Sequence, residues 1–148
     1  MISIDFSPST ISIKNKNGQS HIFDVIRKKW LILTDEEWVR QNLIHYLIHQ
    51  LHYPASLIAV EKEFKIGTVR KRFDILVYNQ QHQPWMLIEC KAADIALSEM
   101  VLQQVIEYGS TIHAPYIIIS NGNFTYGWKR NQVKLDAIEL FPEFITHH

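Results

Sequence analysis

The stretch that decides the fold is Val69-Arg-Lys-Arg-Phe-Asp-Ile-Leu-Val-Tyr78, followed after the polar run Asn79 to Pro84 by Trp85-Met-Leu-Ile-Glu-Cys-Lys91. The second segment is apolar on both faces until its end, as a strand in the centre of a covered sheet must be. Upstream, Leu57 to Ile66 reads as a strand joined to Val69–Tyr78 through Gly67-Thr68, and glycine at the first of two linking positions marks a type II′ hairpin turn. Side chains alternate along a strand, so Arg72, Asp74, Leu76 and Tyr78 are expected on one face, opposite Phe73, Ile75 and Val77. By the same rule Leu87, Glu89 and Lys91 share a face, opposite Met86, Ile88 and Cys90. Pairing the two strands sets Asp74 beside Glu89 and Lys91, where apolar strand gives way to polar loop.

Helices are expected on either side of these strands. Thr34 with Glu37 three residues on forms a capping box, and the helix it starts runs to about Leu51, ended by Tyr53-Pro54. Ser98 is the N-cap of a second helix, with Leu97 and Leu102 as its hydrophobic staple and Gly109 as its C′ glycine. Tyr116-Ile-Ile-Ile119 follows as a buried strand closed by Ser120-Asn121-Gly122. A hairpin through Asn17-Gly18 precedes the first helix, Phe124–Trp128 and Gln132–Ile138 form a last hairpin, and the tail from Phe141 is irregular. The order is helix, three strands, helix, strand, with β additions at each end: an α/β protein.

At 148 residues, 1–148 is read as a single domain. With 47% hydrophobic and 20% charged residues the composition is that of a globular chain and excludes disorder. Lys plus Arg and Asp plus Glu balance at 15 each, so polyanion binding by net charge alone is excluded and any nucleic-acid surface must come from local clusters. The single Cys90 cannot form an internal disulfide, which fits a reducing compartment. No secretory signal opens the chain and no apolar stretch is long enough to span a bilayer, so the expectation is a soluble, cytoplasmic protein without membrane partners.

Two carboxylates packed together resist ionisation unless a cation joins them, and Mg²⁺ or Mn²⁺ is suited to such oxygen donors. Lys91 is placed to hold the attacking water or to stabilise charge on a phosphorane, which completes the inventory for phosphodiester hydrolysis. Glu-x-Lys alone says little, because an ion pair on a solvated face has the same pattern. It also occurs at Glu63-Phe64-Lys65, which with Glu61 and Lys62 reads as an exposed edge. Glu89, by contrast, ends an apolar run, where an unpaired carboxylate is costly.

On the second helix Leu97, Val101, Gln104, Val105 and Tyr108 form one stripe. Gln104 is either a glutamine satisfied by backbone or, with Tyr108, a group facing the carboxylates. On the first helix Glu37, Arg40, Gln41, Ile44 and Ile48 share a face, and Glu37 reads equally as capping partner of Thr34 or as a site residue. Arg27, Lys28 and Lys29, and Arg70, Lys71 and Arg72, are candidate DNA phosphate contacts or ordinary solubilising charge. Lys129-Arg130 is a further basic pair. His45, His49 and His52 have helical spacing without the glutamate of a zinc protease helix, and read as a surface face. Trp30, Trp38, Trp85 and Trp128 read as core.

Asp74…Glu89-Cys90-Lys91 in this order of elements resembles the PD-(D/E)xK phosphodiesterase superfamily. Arg72-Phe-Asp-Ile-Leu-Val-Tyr78, Ile88-Glu-Cys-Lys-Ala92, Gln104-Val-Ile-Glu-Tyr108 and Leu33-Thr-Asp-Glu-Glu-Trp-Val-Arg-Gln41 most resemble the N-terminal nuclease domain of type I restriction enzyme R subunits. Asp35 stands where that family often has proline. The resemblance spans about Arg27 to Asn121 and implies a restriction-endonuclease-like mixed β-sheet core (αβββαβ) flanked by helices. It implies a Mg²⁺-dependent (or Mn²⁺-dependent) DNA endonuclease. Asp74 and Glu89 would bind the metal with the Cys90 backbone carbonyl, Glu37 would assist, Lys91 would activate the water, and Gln104 with Tyr108 would match a Gln-x-x-x-Tyr motif. No Gly-x-x-x-x-Gly-Lys-Ser/Thr loop is present, so a separate helicase/ATPase or restriction-complex subunits are the implied partners. A catalytically silent nuclease-fold module that binds DNA or serves assembly is the alternative, and RNA as substrate a third.

Overall fold

The structure, a computed structural model, describes residues 1–6 and 10–144. Strands β1 (Ile13–Lys16), β2 (Gln19–Asp24) and β3 (Lys29–Ile32) form a small antiparallel sheet. Then come helix α1 (Asp35–His49), strands β4 (Ile58–Ile66), β5 (Val69–Tyr78) and β6 (Pro84–Cys90), helix α2 (Glu99–Ser110), and strands β7 (Tyr116–Ser120), β8 (Thr125–Asn131) and β9 (Lys134–Ile138). The second sheet has six strands in sequential order from β4 to β9. Only its β6–β7 pair is parallel, joined through α2 as a parallel crossover requires. The core order is αβββαβ in a mixed sheet, as the sequence implied.

Local chemistry accounts for the elements. Asn17 and Gly18 both take positive φ, 55° and 78°, as a two-residue turn with matching twist needs. Thr34 Oγ1 accepts from the Glu37 backbone N–H at 3.0 Å and starts α1. Ser98 Oγ does the same for Val101 in α2. The packing of α1 places Val39, Leu43, Ile44 and Leu47 against Ile75, Val77, Met86, Ile88 and Ile118 on one face of the large sheet. Its other face carries Val105 of α2 on Ile117 and Ile119, beside Phe73, Leu76, Leu87 and Ala114. Each fully buried aliphatic side chain of this kind contributes about 1.5–3 kcal/mol. The irregular tail expected from Phe141 is seen through Phe144, held by Tyr53 Oη donating to the Pro142 carbonyl at 2.6 Å; its remainder, 145–148, lies outside the described residues.

Several expectations need correction. β3 was not foreseen, because Lys29, Trp30 and Ile32 are exposed and the segment lacks alternation. Gly109 is no C′ residue but lies inside α2, which is capped at Thr111. A Cβ there would meet Ile117 Cδ1 at 2.7 Å, so the glycine lets helix and strand approach. His45, expected on a surface face, is 5% exposed, and its Nδ1 lies 2.8 Å from Thr10 Oγ1. Trp30 and Trp38, expected in the core, are exposed. Finally, strict alternation along β5 fails. Phe73 packs with Leu76 and Leu87, not with Ile75. In the facing strand the pairing runs from Val60↔Ile75 to Lys62↔Phe73 around Glu61, whose φ is +54°. Both strands break phase at Glu61 and Asp74.

Candidate active site

That break decides where the acidic groups go. A non-glycine residue at positive φ in mid-strand is costly, on the order of 1 kcal/mol or more, and persists only where surrounding contacts fix it. Here the fixing contacts are ionic. Glu61 reaches Arg27 Nη1 at 2.9 Å and Arg40 Nη1 at 3.1 Å. Asp74, opposite the kink, accepts from Arg40 Nη2 at 3.2 Å through Oδ1 and from the Cys90 backbone N–H at 2.7 Å through Oδ2. Both oxygens of the Asp74 carboxylate are therefore oriented by groups on α1 and β6.

Asp74 and Glu89 adjoin. The β5–β6 register runs Tyr78↔Pro84, Val77↔Met86, Leu76↔Leu87 and Ile75↔Ile88 with one irregularity near Tyr78, which sets Asp74 next to Glu89 at the end of the pair. Glu89 Oε1 lies 3.4 Å from the Asp74 backbone nitrogen. Burial, then the charge of Asp74, push the Glu89 carboxyl up to about 8, while the ammonium of Lys91 pulls the other way. Glu89 is a partly desolvated carboxyl packed beside a second one, an arrangement that an added cation would relieve. Lys91 itself makes no ion pair among the described residues; its backbone N–H donates to the Ser120 carbonyl at 2.9 Å, which anchors the end of β6 to β7. The Cys90 thiol is buried in the apolar core, and burial raises it well above the usual thiol range, so only its backbone is available for chemistry.

A cluster of ion pairs backs the carboxylates. Arg40 is 4% exposed and also donates to Glu37 Oε1 at 3.3 Å and to Glu36 Oε1 at 3.2 Å. Glu37 Oε2 accepts from the side chain of Gln41 at 3.2 Å, so both Glu37 oxygens are engaged, and Arg40 stands between Glu37 and Asp74. Burial alone would raise the Asp24 carboxyl, but the backbone and side chain of Arg27 outweigh it and hold the group below the usual carboxylate range. Arg27 donates through Nε to Asp24 at 2.6 Å and is committed to this cluster, in contrast to the phosphate-facing position expected of it. Lys28 and Lys29 are exposed.

On the other side of Glu89 a cleft of about 310 Å³ is lined by Arg70, Lys71, Arg72, Phe73, Glu89 and Tyr108. Lys71 Nζ sits 3.8 Å from the centre of the Tyr108 ring, a cation–π contact that ties α2 to β5. Arg70 makes an exposed pair with Glu63 at 3.4 Å. Tyr108 thus joins Glu89 at one cleft. Gln104 does not: it is exposed and lies off the stripe that Leu97, Val101, Leu102 and Val105 press on the sheet. The sequence reading missed Glu61, taken for an exposed edge residue, and the inward turn of Arg27. The kink that delivers Glu61 is a backbone event with no residue signature. The polar intrusion Glu37, Arg40, Gln41 into an apolar helix face was the available signal for the cluster.

Among the described residues no group of three or more His, Cys, Asp and Glu side chains converges as a ready-made metal cage. The donors that do adjoin are the carboxyl groups of Asp74 and Glu89, and such oxygen donors suit a hard divalent ion that keeps several waters. No helix is long and apolar enough to cross a membrane among the described residues.

No curated protein matches the chain. A solved structure, that of the type IIG restriction endonuclease BpuSI, matches at 17% identity with a TM-score of 0.44; the match covers 67% of this chain and 12% of that one. Residues 35–142, from the first residue of α1 to beyond β9, match the type I restriction enzyme R protein N terminus (HSDR_N), so the chain belongs to that family.

Proposed function

We propose that this chain is a nuclease domain that hydrolyses DNA phosphodiester bonds with the help of Mg²⁺ or Mn²⁺. The observation that carries the reading is the pairing of Asp74 with a half-buried Glu89 whose carboxyl is pushed up to about 8 by desolvation and by Asp74. Such a pair gains most from a divalent ion. Asp74, Glu89 and the Cys90 carbonyl would hold it, and when bound it would polarise the phosphate and acidify a water.

The chain's own groups do the rest. Arg40 and the Cys90 N–H hold the Asp74 carboxylate in place. Lys91, free of other ion pairs among the described residues, orients the attacking water and offsets charge on the phosphorane as the P–O bond to the leaving oxygen breaks. Arg70, Lys71 and Arg72 line the cleft beside Glu89 and suit the flanking phosphates, with Tyr108 against the strand. Lys28 and Lys29 are further phosphate candidates. A separate motor or other restriction subunits would deliver the DNA.

Plasmid nicking tests this. Wild type is expected to nick DNA with Mg²⁺ or Mn²⁺ and not in chelator, and Asp74→Ala to lose the activity; equal activity in the two proteins would contradict the assignment. A silent DNA-binding module is the second reading, favoured by the hold of Arg40 on Asp74 Oδ1. It predicts no nicking by wild type and no calorimetric signal for Mn²⁺, even with DNA present.

A further inference from the structure

We propose that Arg40 is a positioning residue that limits this site to one divalent ion, by standing as a permanent cation where a second ion would otherwise sit; the inference rests on the metal-dependent reading above. Its terminal nitrogens donate to four carboxylates contributed by α1, β4 and β5. Nη1 reaches Glu37 at 3.3 Å and Glu61 at 3.1 Å, and Nη2 reaches Glu36 at 3.2 Å and Asp74 at 3.2 Å. Of these four, Asp74 alone also adjoins Glu89. Asp74 therefore bridges two compartments: one with Glu89 and Lys91, and one already filled by a guanidinium.

Arg40 thus stands as a fixed cation beside Asp74, in the place that a second ion would need. Two-metal phosphodiesterases hold their ions about 3.5–4 Å apart and share a carboxylate between them. Here the shared carboxylate is Asp74, and the second compartment, formed by Glu37 and Glu61 with Asp74, holds Arg40. Arginine cannot lose its proton in a protein, so the charge is constant at any working pH. The guanidinium is 4% exposed, packed by α1 and cross-tied through Glu61 and Glu37 to Arg27. An ion could enter the second compartment only by displacing it. Glu37 and Glu61 then act through Arg40, as its tethers, while Asp74 touches both Arg40 and Glu89.

Mn²⁺ binding read by titration calorimetry and electron paramagnetic resonance tests this without recourse to activity. Wild type is expected to take one Mn²⁺ per chain and to give the six-line signal of an isolated ion at saturation. Arg40→Gln, which empties the second compartment of charge, is expected to take two and to show the broadened signal of a coupled pair. Arg40→Lys, which keeps a cation there, is expected to return to one. One ion in Arg40→Gln, two in Arg40→Lys, or a coupled pair in wild type would each overturn the inference while leaving the metal-dependent reading in place. No Mn²⁺ bound by wild type would overturn both. If Arg40→Gln does not fold, wild type and Arg40→Lys still decide, since two ions in either would overturn the inference.

Discussion

The same tripeptide pattern occurs twice in this chain, on two strands of one sheet, and the two copies live in opposite environments. Glu63-Phe64-Lys65 lies on β4, the edge strand; the Glu63 side chain is 49% exposed and pairs with Arg70 across the hairpin. Glu89-Cys90-Lys91 ends β6, an interior strand, with Glu89 desolvated beside Asp74. A carboxylate in water needs no partner, whereas one at the end of an apolar strand must be neutralised, by a proton or by a cation. The contrast teaches that position in the sheet, and not the motif, turns Glu-x-Lys into chemistry.

The largest expected effect separates the copies by activity. Lys91→Ala and Glu89→Ala should each lower the metal-dependent nicking rate by about 100-fold or more, the scale of a lost proton-transfer or charge-stabilising group. Lys65→Ala and Glu63→Ala should stay within about 2-fold, because exposed charges contribute little. Comparable losses at both copies, read from initial nicking rates, would erase the distinction.

Next comes stability against pH without metal. The folded Glu89 carboxyl at about 8 stands above its ordinary 4.5. Between those values the folded chain holds a proton that the unfolded chain has released. The stability this provides is complete below the lower value and lost as pH rises through the upper one. Urea unfolding in chelator should therefore show wild type weakening from about pH 5 to 9, by an amount on the order of a few kcal/mol, and Glu89→Gln should flatten that slope.

Two glycines sharpen the same contrast of interior against edge. Gly109→Ala drives a methyl into Ile117 at 2.7 Å, between α2 and β7, and should cost about 1–3 kcal/mol by overpacking. Gly67, at the β4–β5 turn, has nothing within 4 Å of such a methyl and a φ of +63°, so Gly67→Ala should cost about 1 kcal/mol through backbone strain alone. Equal midpoints in denaturant would show that α2 can shift away from the sheet.

The smallest effect belongs to the edge pair itself. Arg70→Gln should change stability by less than about 0.5 kcal/mol, since its partner Glu63 is exposed. The same change should reduce the salt slope of DNA affinity by about one counterion, because Arg70 also lines the cleft. An unaltered slope would remove Arg70 from the DNA surface.

Much of this was legible in the residues. The apolar run before Glu89, the Gly67-Thr68 turn, and the caps at Thr34 and Ser98 set the elements, and strand pairing alone put Asp74 beside Glu89. Periodicity failed where backbone departs from it. The kink at Glu61 and Asp74 sends Phe73 to the face of Leu76 and brings Asp74 to Arg40, and neither strand's composition announces it. Gln104 looked inward because its spacing fits the stripe, yet a helix of this width leaves that position outside. Arg27 looked like a surface cation because its neighbours Lys28 and Lys29 are. Its role depends on Asp24 and Glu61, the latter distant in sequence. His45 looked exposed because its spacing matches that of His49 and His52, yet it is buried against Thr10, another long-range contact.

The central claim is that the Asp74 and Glu89 carboxyl groups share a divalent ion. Anomalous diffraction from crystals soaked in Mn²⁺ addresses it directly. The account predicts a single peak per chain within bonding reach of one oxygen from each residue and of the Cys90 carbonyl; soaked crystals with no peak between those two side chains, or with manganese bound elsewhere only, would contradict it.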